Sequence, residues 1–196
     1  EMYICGVGGD DVNQYSLSTA WDVSSASYTR TFDSSAQESA PQSVFFKTDG
    51  TKMYVSGGGS QSVNEYDLST AWDISSASYV QSFSLTSVDI NHRSISFKPD
   101  GSNMFSVGVS GDAVFKYDLS TAWDISSASY QEPTTRYFDP SSEEASPQSI
   151  FFKPDGLKMY ITGRSSDAVN EYDLSTAWDI SSASYSQNFS VSGQET

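Results

Sequence analysis

Carboxylates recur at matching positions in the loops of this sequence. Asp10, Asp112 and Asp167 each stand two residues before a valine, within short loops that are rich in glycine and serine. Carboxylates that lie close together repel one another at neutral pH, so a cation or a basic partner would stabilise them. The sequence therefore predicts a ligand-binding surface. Its candidate residues are Asp10, Asp11, His92, Arg93, Asp112, Glu143, Glu144, Arg164 and Asp167.

Calcium is one ligand that such loops could bind, because Ca²⁺ prefers carboxylate and carbonyl oxygens. None of the loops carries the acidic spacing of an EF-hand. The loops also differ from one another, and loop sequences diverge readily when nothing constrains them. Selected recognition and unconstrained divergence both remain open explanations of this variation.

Residues suited to catalysis are few. The chain has one histidine, His92, and one cysteine, Cys5. His92 stands where two other repeats have proline, and with Arg93 it is expected to form a solvated loop pair. Cys5 has no Lys or Arg near it in sequence, so its thiol is expected to be unreactive. We predict from this composition that the chain is not an enzyme and holds no resident cofactor, Ca²⁺ excepted.

Four Trp-Asp pairs form a second candidate set. Indole faces stack on sugars and carboxylates bind hydroxyl groups, so these pairs suit a glycan-binding protein. The alternative is structural: each Trp packs between neighbouring sheets, and each Asp caps the Ser-Ser turn that follows it. The pairs are Trp21 with Asp22, Trp72 with Asp73, Trp123 with Asp124, and Trp178 with Asp179.

The overall charge restricts the class of partner. Ten Lys and Arg residues stand against 25 Asp and Glu residues among 196, giving a formal charge of −15. Nucleic-acid binding requires a basic face, so a nucleic-acid partner is not expected. No apolar stretch approaches the roughly 20 residues of a membrane span. The aromatic content of 14% indicates a folded chain rather than a disordered acidic one.

An internal repeat positions all of these residues. The block Leu-Ser-Thr-Ala-Trp-Asp-Val/Ile-Ser-Ser-Ala-Ser-Tyr occurs four times, and its tryptophans are 51, 51 and 55 residues apart. A period near 50 with several short strands is typical of propeller blades. We predict a single all-β domain over 1–196, a β-propeller with four four-stranded repeats. Their approximate bounds are 1–40, 41–91, 92–146 and 147–196.

Each repeat contains four strand-like segments. The first, as in 43–47, alternates apolar and polar residues and ends in an Asp-Gly turn. The second is 52–56, the third is 63–68 with a bulge allowed, and the fourth centres on Phe83. The third repeat is longer by four residues, inserted between Tyr130 and Phe138.

The sequence resembles WD40 and YVTN-type propeller repeats. The resemblance is carried by Ser-Ile-Ser-Phe-Lys-Pro-Asp-Gly-Ser-Asn-Met-Phe at 94–105 and Ala-Val-Phe-Lys-Tyr-Asp-Leu at 113–119. Tyr-Asp stands where a WD40 repeat has Trp-Asp, and the Gly-His dipeptide is missing. The Leu-Ser-Thr-Ala-Trp-Asp block also resembles uncharacterised repeat proteins of marine bacteria and their phages. The resemblance implies a propeller fold and says little about function.

One strand of the pattern is missing. The first strand type occurs three times and the other three types occur four times, so the first repeat lacks its inner strand. An unpaired sheet edge is a template for association. The repeats could close imperfectly, belong to a longer array, or be completed by a second chain. We therefore expect either self-association through the N-terminal strand or a C-terminal segment that folds into the gap.

These observations favour a non-enzymatic recognition or scaffold module with a protein or glycan ligand, extracellular or on a virion. A glycan-binding lectin-like propeller is one alternative. A YVTN-like hydrolase such as a lactonase is another, although it would need acids and histidines at a central channel.

Overall fold

The strands of this protein alternate with tight turns throughout. The computed structural model describes residues 1–130 and 137–194, and its helical segments in that part are four three-residue 3₁₀ turns. The described residues contain no helix that is both long and apolar enough to cross a membrane. The chain divides into two compact units, Glu1–Ser84 and Leu85–Thr196, and each unit contains two repeats. The all-β class is confirmed, whereas the single domain stays a prediction.

The first unit contains two antiparallel sheets. One has three strands in sequential order: β1 (Met2–Gly6), β2 (Asp11–Leu17) and β3 (Ala26–Asp33). The other has four: β4 (Pro41–Phe46), β5 (Lys52–Gly57), β6 (Ser62–Leu68) and β7 (Ala77–Ser84). The first sheet therefore lacks the strand that corresponds to β4, as the sequence predicted.

The second unit repeats this plan. Its first sheet contains β8 (His92–Phe97), β9 (Asn103–Gly108), β10 (Ala113–Leu119), β11 (Ala128–Ser129) and β12 (Tyr137–Phe138). Both β11 and β12 pair with β10, so together they take the place of the fourth strand. The other sheet contains β13 (Pro147–Phe152), β14 (Lys158–Gly163), β15 (Ala168–Leu174) and β16 (Ala183–Ser190).

The predicted strands and the predicted bulge in the third strand are present. The bulge lies between the third and fourth strands, where the pairing shifts between Gln14 and Tyr15, Glu65 and Tyr66, and Glu171 and Tyr172. In the third repeat Val114 pairs with Phe138, which matches the pairing of Val63 with Phe83. The predicted insertion falls largely on 131–136, outside the described residues.

Each unit has an apolar core of its own. In the first unit, Met53, Val55, Tyr66 and Ile74 are fully buried, and Tyr3 and Phe46 pack against this cluster. In the second unit, Phe105, Phe152, Met159, Tyr172 and Ile180 form the centre of the cluster. The fourth strands alternate between half-buried and exposed residues or are exposed along most of their length. The fourth strand is therefore the most exposed strand of these repeats.

The tryptophans fix one end of each complete repeat. Gly50, Gly101 and Gly156 follow the first strands and have φ between +73° and +76°. Trp72, Trp123 and Trp178 also have positive φ, between 64° and 67°. Each tryptophan amide donates to the glycine carbonyl of its own repeat, at 3.0, 3.1 and 2.9 Å. The indole lies so close to the glycine Cα that a Cβ there would overlap the ring. The tryptophan thus contacts the Asp-Gly turn of its own repeat, a contact that the sequence analysis did not predict.

Changing Gly50 to Ala tests this contact. The added methyl group would overlap the Trp72 indole and would force alanine into the left-handed region. We expect the free energy of unfolding to fall by about 2–4 kcal/mol in urea titrations.

Gly58, in the turn that follows β5, supplies the matched control. A Cβ at Gly58 meets Gln42 Nε2 at 3.7 Å, an ordinary contact. Gly58→Ala should therefore change the stability by less than about 1 kcal/mol. Equal losses in the two variants would contradict the packing described here.

Candidate functional site

A buried carboxylate precedes the first strand of the second, third and fourth repeats and joins two loops there. Glu38, Asp89 and Glu144 lie at matching positions, three residues before the strands β4, β8 and β13 begin, and all three are buried. Each carboxylate reaches from the loop before the first strand to the loop between the second and third strands. Buried carboxylates are costly unless they are hydrogen-bonded, and these three are.

Glu144 makes the largest set of hydrogen bonds. Its Oε1 accepts from the amides of Ser146 at 2.9 Å and Ser165 at 3.0 Å, and from the Ser165 hydroxyl. Its Oε2 accepts from the Ser166 amide at 3.1 Å and the Ser166 hydroxyl at 2.6 Å. Burial opposes the charged form, but the bonds from Ser165, Ser166 and Ser146 outweigh it and hold the pKa of Glu144 at about 2.

Glu38 and Asp89 repeat this arrangement with different partners. Glu38 accepts from the amides of Ala40, Gly59 and Ser60 at 2.8 to 3.0 Å. Asp89 accepts from the amides of Asn91 at 2.5 Å and Gly111 at 3.0 Å. In all three cases the amide two residues after the carboxylate and at least one amide of the second loop donate, while the loop sequences differ. The loops are therefore held at their bases in a common geometry.

Of these three carboxylates, only Glu144 is predicted from the sequence as a ligand-binding residue. The structure places Glu144 inside the loop base, with its oxygens engaged by the chain itself. One sequence signal was available for the whole set. An acidic residue stands three positions before Pro41, His92 and Pro147 in three consecutive repeats.

The recurring aspartates have a backbone reason for their position. Asp10, Asp112 and Asp167 have φ of 53°, 46° and 46°, and Gln61 has φ of 54° at the corresponding place in the second repeat. Aspartate tolerates the left-handed region better than most residues do. Turn geometry therefore accounts for aspartate at these positions. All three aspartates are half-buried.

The other candidate residues lie in separate environments. Asp11 accepts from Asn13 Nδ2 at 2.8 Å, and Glu143 accepts from the Tyr172 hydroxyl at 3.5 Å. Arg164 is exposed and lines a cleft of about 370 Å³ with Gln148, Thr162 and Val191. Arg93 is half-buried on β8.

His92 differs from the expectation of a solvated loop residue. It is fully buried as the first residue of β8, where it pairs with Gly108. Pro41 and Pro147 are buried at the same position in β4 and β13. The first residue of the first strand is therefore buried in all three repeats, whether it is proline or histidine. Burial raises the pKa of the Cys5 thiol, which agrees with the expectation of an unreactive thiol.

The calcium prediction has no defined donor set. Within 1–130 and 137–194, no group of three or more His, Cys, Asp or Glu side chains could hold a metal ion. Calcium binding therefore stays a prediction for measurement in solution.

The aspartates of the Trp-Asp pairs cap the 3₁₀ turns. In each repeat the Asp carboxylate accepts from the amide of the serine two residues later, at 2.9 to 3.0 Å, and from its hydroxyl at 2.6 Å. Asp73 also binds Arg30. These carboxylates are thus engaged in local structure, as the structural alternative proposed.

The four tryptophans differ in solvent exposure. Trp123 and Trp178 are only 7% and 9% exposed and pack on Phe97 and Phe152, with ring centroids 5.5 and 5.3 Å apart. Trp72 packs on Phe46. Trp21, in contrast, is 99% exposed. The two buried indoles are poorly placed to stack on sugars, and the glycan hypothesis stays a prediction.

No protein-family model matches the chain, and a comparison with curated proteins finds no match. Solved structures do match. One is a nidogen/laminin complex, with a TM-score of 0.61 and 12% identity over 92% of this chain and 59% of that chain. A second is a candidate 6-phosphogluconolactonase from Bacteroides fragilis, with a TM-score of 0.57 and 13% identity over 94% and 50%. A third is the periplasmic gluconolactonase of Pseudomonas aeruginosa, with a TM-score of 0.53 and 17% identity over 92% and 49%.

These likenesses show the fold. The chain has the β-propeller fold, built from four repeats of antiparallel strands. It spans about half the length of the solved structures it matches.

The prediction that the chain is not an enzyme is wrong. Structures named as gluconolactonases have this fold, and their names denote hydrolysis of a lactone. The prediction depended on the scarcity of histidine and cysteine, and that scarcity does not exclude a lactonase reaction in a propeller.

Glu144→Gln tests the loop base. The amide nitrogen of glutamine would meet amide and hydroxyl donors, so we expect a loss of about 1–3 kcal/mol in the free energy of unfolding at neutral pH. Because the folded pKa of about 2 lies below the usual 4.5, the stabilisation is complete above pH 4.5 and is lost as the pH falls toward 2. Unfolding of wild type and variant should therefore be compared across that range, where the difference should shrink.

The adjacent Glu143 provides the control. It is only half-buried, and its described contact is the Tyr172 hydroxyl. Glu143→Gln removes the same charge and should cost less than about 1 kcal/mol. A difference between wild type and Glu144→Gln that does not vary with pH would contradict the assigned role of the carboxylate.

Proposed function

We propose that the chain is a recognition module whose variable loops bind a positively charged segment of a protein partner. The observation that carries this proposal is the constant loop base. Glu38, Asp89 and Glu144 hold the two loops of a repeat together, while the residues beyond the base change from repeat to repeat. A fixed frame with variable tips is an arrangement suited to recognition.

Charge favours a basic partner. The loops between second and third strands contribute Asp10, Asp11, Asp112 and Asp167, and Arg164 is the basic residue among them. With a net charge of −15, the chain attracts cationic segments and increases their rate of association. The nidogen/laminin complex is an instance of a similar fold in a structure with a protein partner.

The setting proposed for this activity is outside the cell or on a virion. Support comes from the names of two similar structures, one a periplasmic gluconolactonase and one a nidogen/laminin complex. The resemblance of the sequence to repeat proteins of marine bacteria and their phages is compatible with this setting.

Paired charge removal tests the proposal. Asp112 and Asp167 lie in the same unit, and asparagine keeps the left-handed backbone while it removes the charge. The variant Asp112→Asn/Asp167→Asn should bind an oligolysine peptide at least roughly tenfold more weakly than wild type in calorimetric titrations. Asp10→Asn tests the other unit separately.

The control removes the same charge elsewhere. Asp49 and Asp155 lie in Asp-Gly turns and pair with Lys47 and Lys153. The variant Asp49→Asn/Asp155→Asn should retain binding. Equal weakening by both double variants would show that net charge alone attracts the peptide, and it would contradict a binding surface at the loops.

Lactone hydrolysis is a second candidate function, because the chain has the fold of structures named as gluconolactonases. We expect a hydrolase to raise the rate of acid release from glucono-δ-lactone or its 6-phosphate in a pH-stat. A rate equal to the buffer blank for both lactones would contradict this candidate.

A further inference from the structure

Trp21 lies on an exposed apolar surface of the first unit. The surface is a cleft of about 420 Å³. Its lining residues are Glu1, Met2, Leu17, Ala20, Trp21 and Val23. Trp21 is 99% exposed and Val23 is 71% exposed. In the other three repeats, the residues that match Val23 are Ile74, Ile125 and Ile180, and all three are fully buried.

The local structure around Trp21 matches that of the three complete repeats. Trp21 has φ of 67°, Asp22 caps the 3₁₀ turn Val23–Ser25, and Ser24 donates to the Asp22 carboxylate. The tryptophan is therefore already in the conformation that contacts a glycine elsewhere. The amides of Trp72, Trp123 and Trp178 each donate a hydrogen bond to a glycine carbonyl. In the described part of the chain, the Trp21 amide makes no such bond.

Strand β1, at the edge of the first sheet, corresponds to the second strands of the complete repeats. Among the described strands, β1 pairs with β2 alone, whereas β5, β9 and β14 each pair on both sides. Met53, Met104 and Met159 pair with Phe46, Phe97 and Phe152, and the residue that matches these methionines is Met2. Ile4 is exposed, while Val55 and Ile161 at the same position are fully buried.

We propose that this surface binds a β-strand that ends in Phe-Lys-Pro-Asp-Gly or Phe-Lys-Thr-Asp-Gly. The strand would add antiparallel to β1, and its glycine would lie against the Trp21 indole. The three complete repeats show what covers this surface, because the same twelve-residue block is covered there by such a segment in each case. Addition of a strand to an open edge supplies main-chain hydrogen bonds, and the tryptophan supplies sequence selection.

The glycine requirement makes the site selective. Gly50, Gly101 and Gly156 have positive φ, and a Cβ on any of them would overlap the indole. A segment with alanine in place of this glycine would therefore meet both a steric overlap and a backbone penalty. This selectivity for glycine distinguishes the proposed binding from nonspecific association of a strand with an exposed sheet edge.

A synthetic peptide tests the proposal. The probe is the amidated segment of residues 147–157, Pro-Gln-Ser-Ile-Phe-Phe-Lys-Pro-Asp-Gly-Leu, added to the whole chain. Binding should shift tryptophan emission to shorter wavelength, because the exposed Trp21 becomes buried. The same peptide with alanine for glycine should bind at least roughly tenfold more weakly, and so should the wild-type peptide to Trp21→Ala.

A covalent version keeps the test interpretable if the free peptide aggregates. The same eleven residues, joined ahead of Glu1, should raise the melting temperature and protect Trp21 from acrylamide quenching. The fusion with alanine for glycine should do neither. If both glycine and alanine forms bind or stabilise equally, or if Trp21→Ala binds the peptide as well as wild type does, the proposal is overturned. Association of two copies that the peptide does not reduce would also overturn it.

Discussion

The contact between a tryptophan indole and the Cα of a glycine organises each complete repeat. Both residues have positive φ, which costs roughly 1–2 kcal/mol for a residue with a side chain. The hydrogen bond from the tryptophan amide to the glycine carbonyl and the burial of the indole offset that cost. Because the glycine follows the first strand and the tryptophan follows the third, the contact joins the turn after the first strand to the loop after the third strand at one end of the sheet.

The opposite ends of the strands are held by a different interaction. There a buried carboxylate accepts hydrogen bonds from backbone amides of two loops, so the bond pattern depends little on side-chain identity. The sequence can therefore change at the loop tips while the loop base stays in place. This difference explains why the Trp-Asp blocks are nearly invariant among the repeats while the loops differ. It also explains how one fold could serve as a recognition surface.

Sequence periodicity was sufficient to predict the repeats, the strands and the bulge, because alternation and turn residues are local signals. It was also sufficient to predict that the first repeat has three strands. The burial of Glu144 could not be predicted from its own segment, because its donors Ser165 and Ser166 lie in a different loop. The burial of His92 at the start of β8 was also missed. The sequence predicts Asp10, Asp112 and Asp167 as ligand residues because their spacing is visible in it, whereas their left-handed backbone is not. The exposure of Trp21 follows from the missing strand, but it required the three buried counterparts for comparison.

The measurement that tests the central contact most directly is the NMR chemical shift of the glycine Hα protons. An indole ring that lies over a Cα shields its protons, so Gly50, Gly101 and Gly156 should show Hα signals far upfield of ordinary glycines. Trp123→Leu should return the Gly101 signals to the ordinary range and leave those of Gly156 in place. Ordinary shifts for all three glycines in the wild-type protein, or shifts unchanged by Trp123→Leu, would contradict the account.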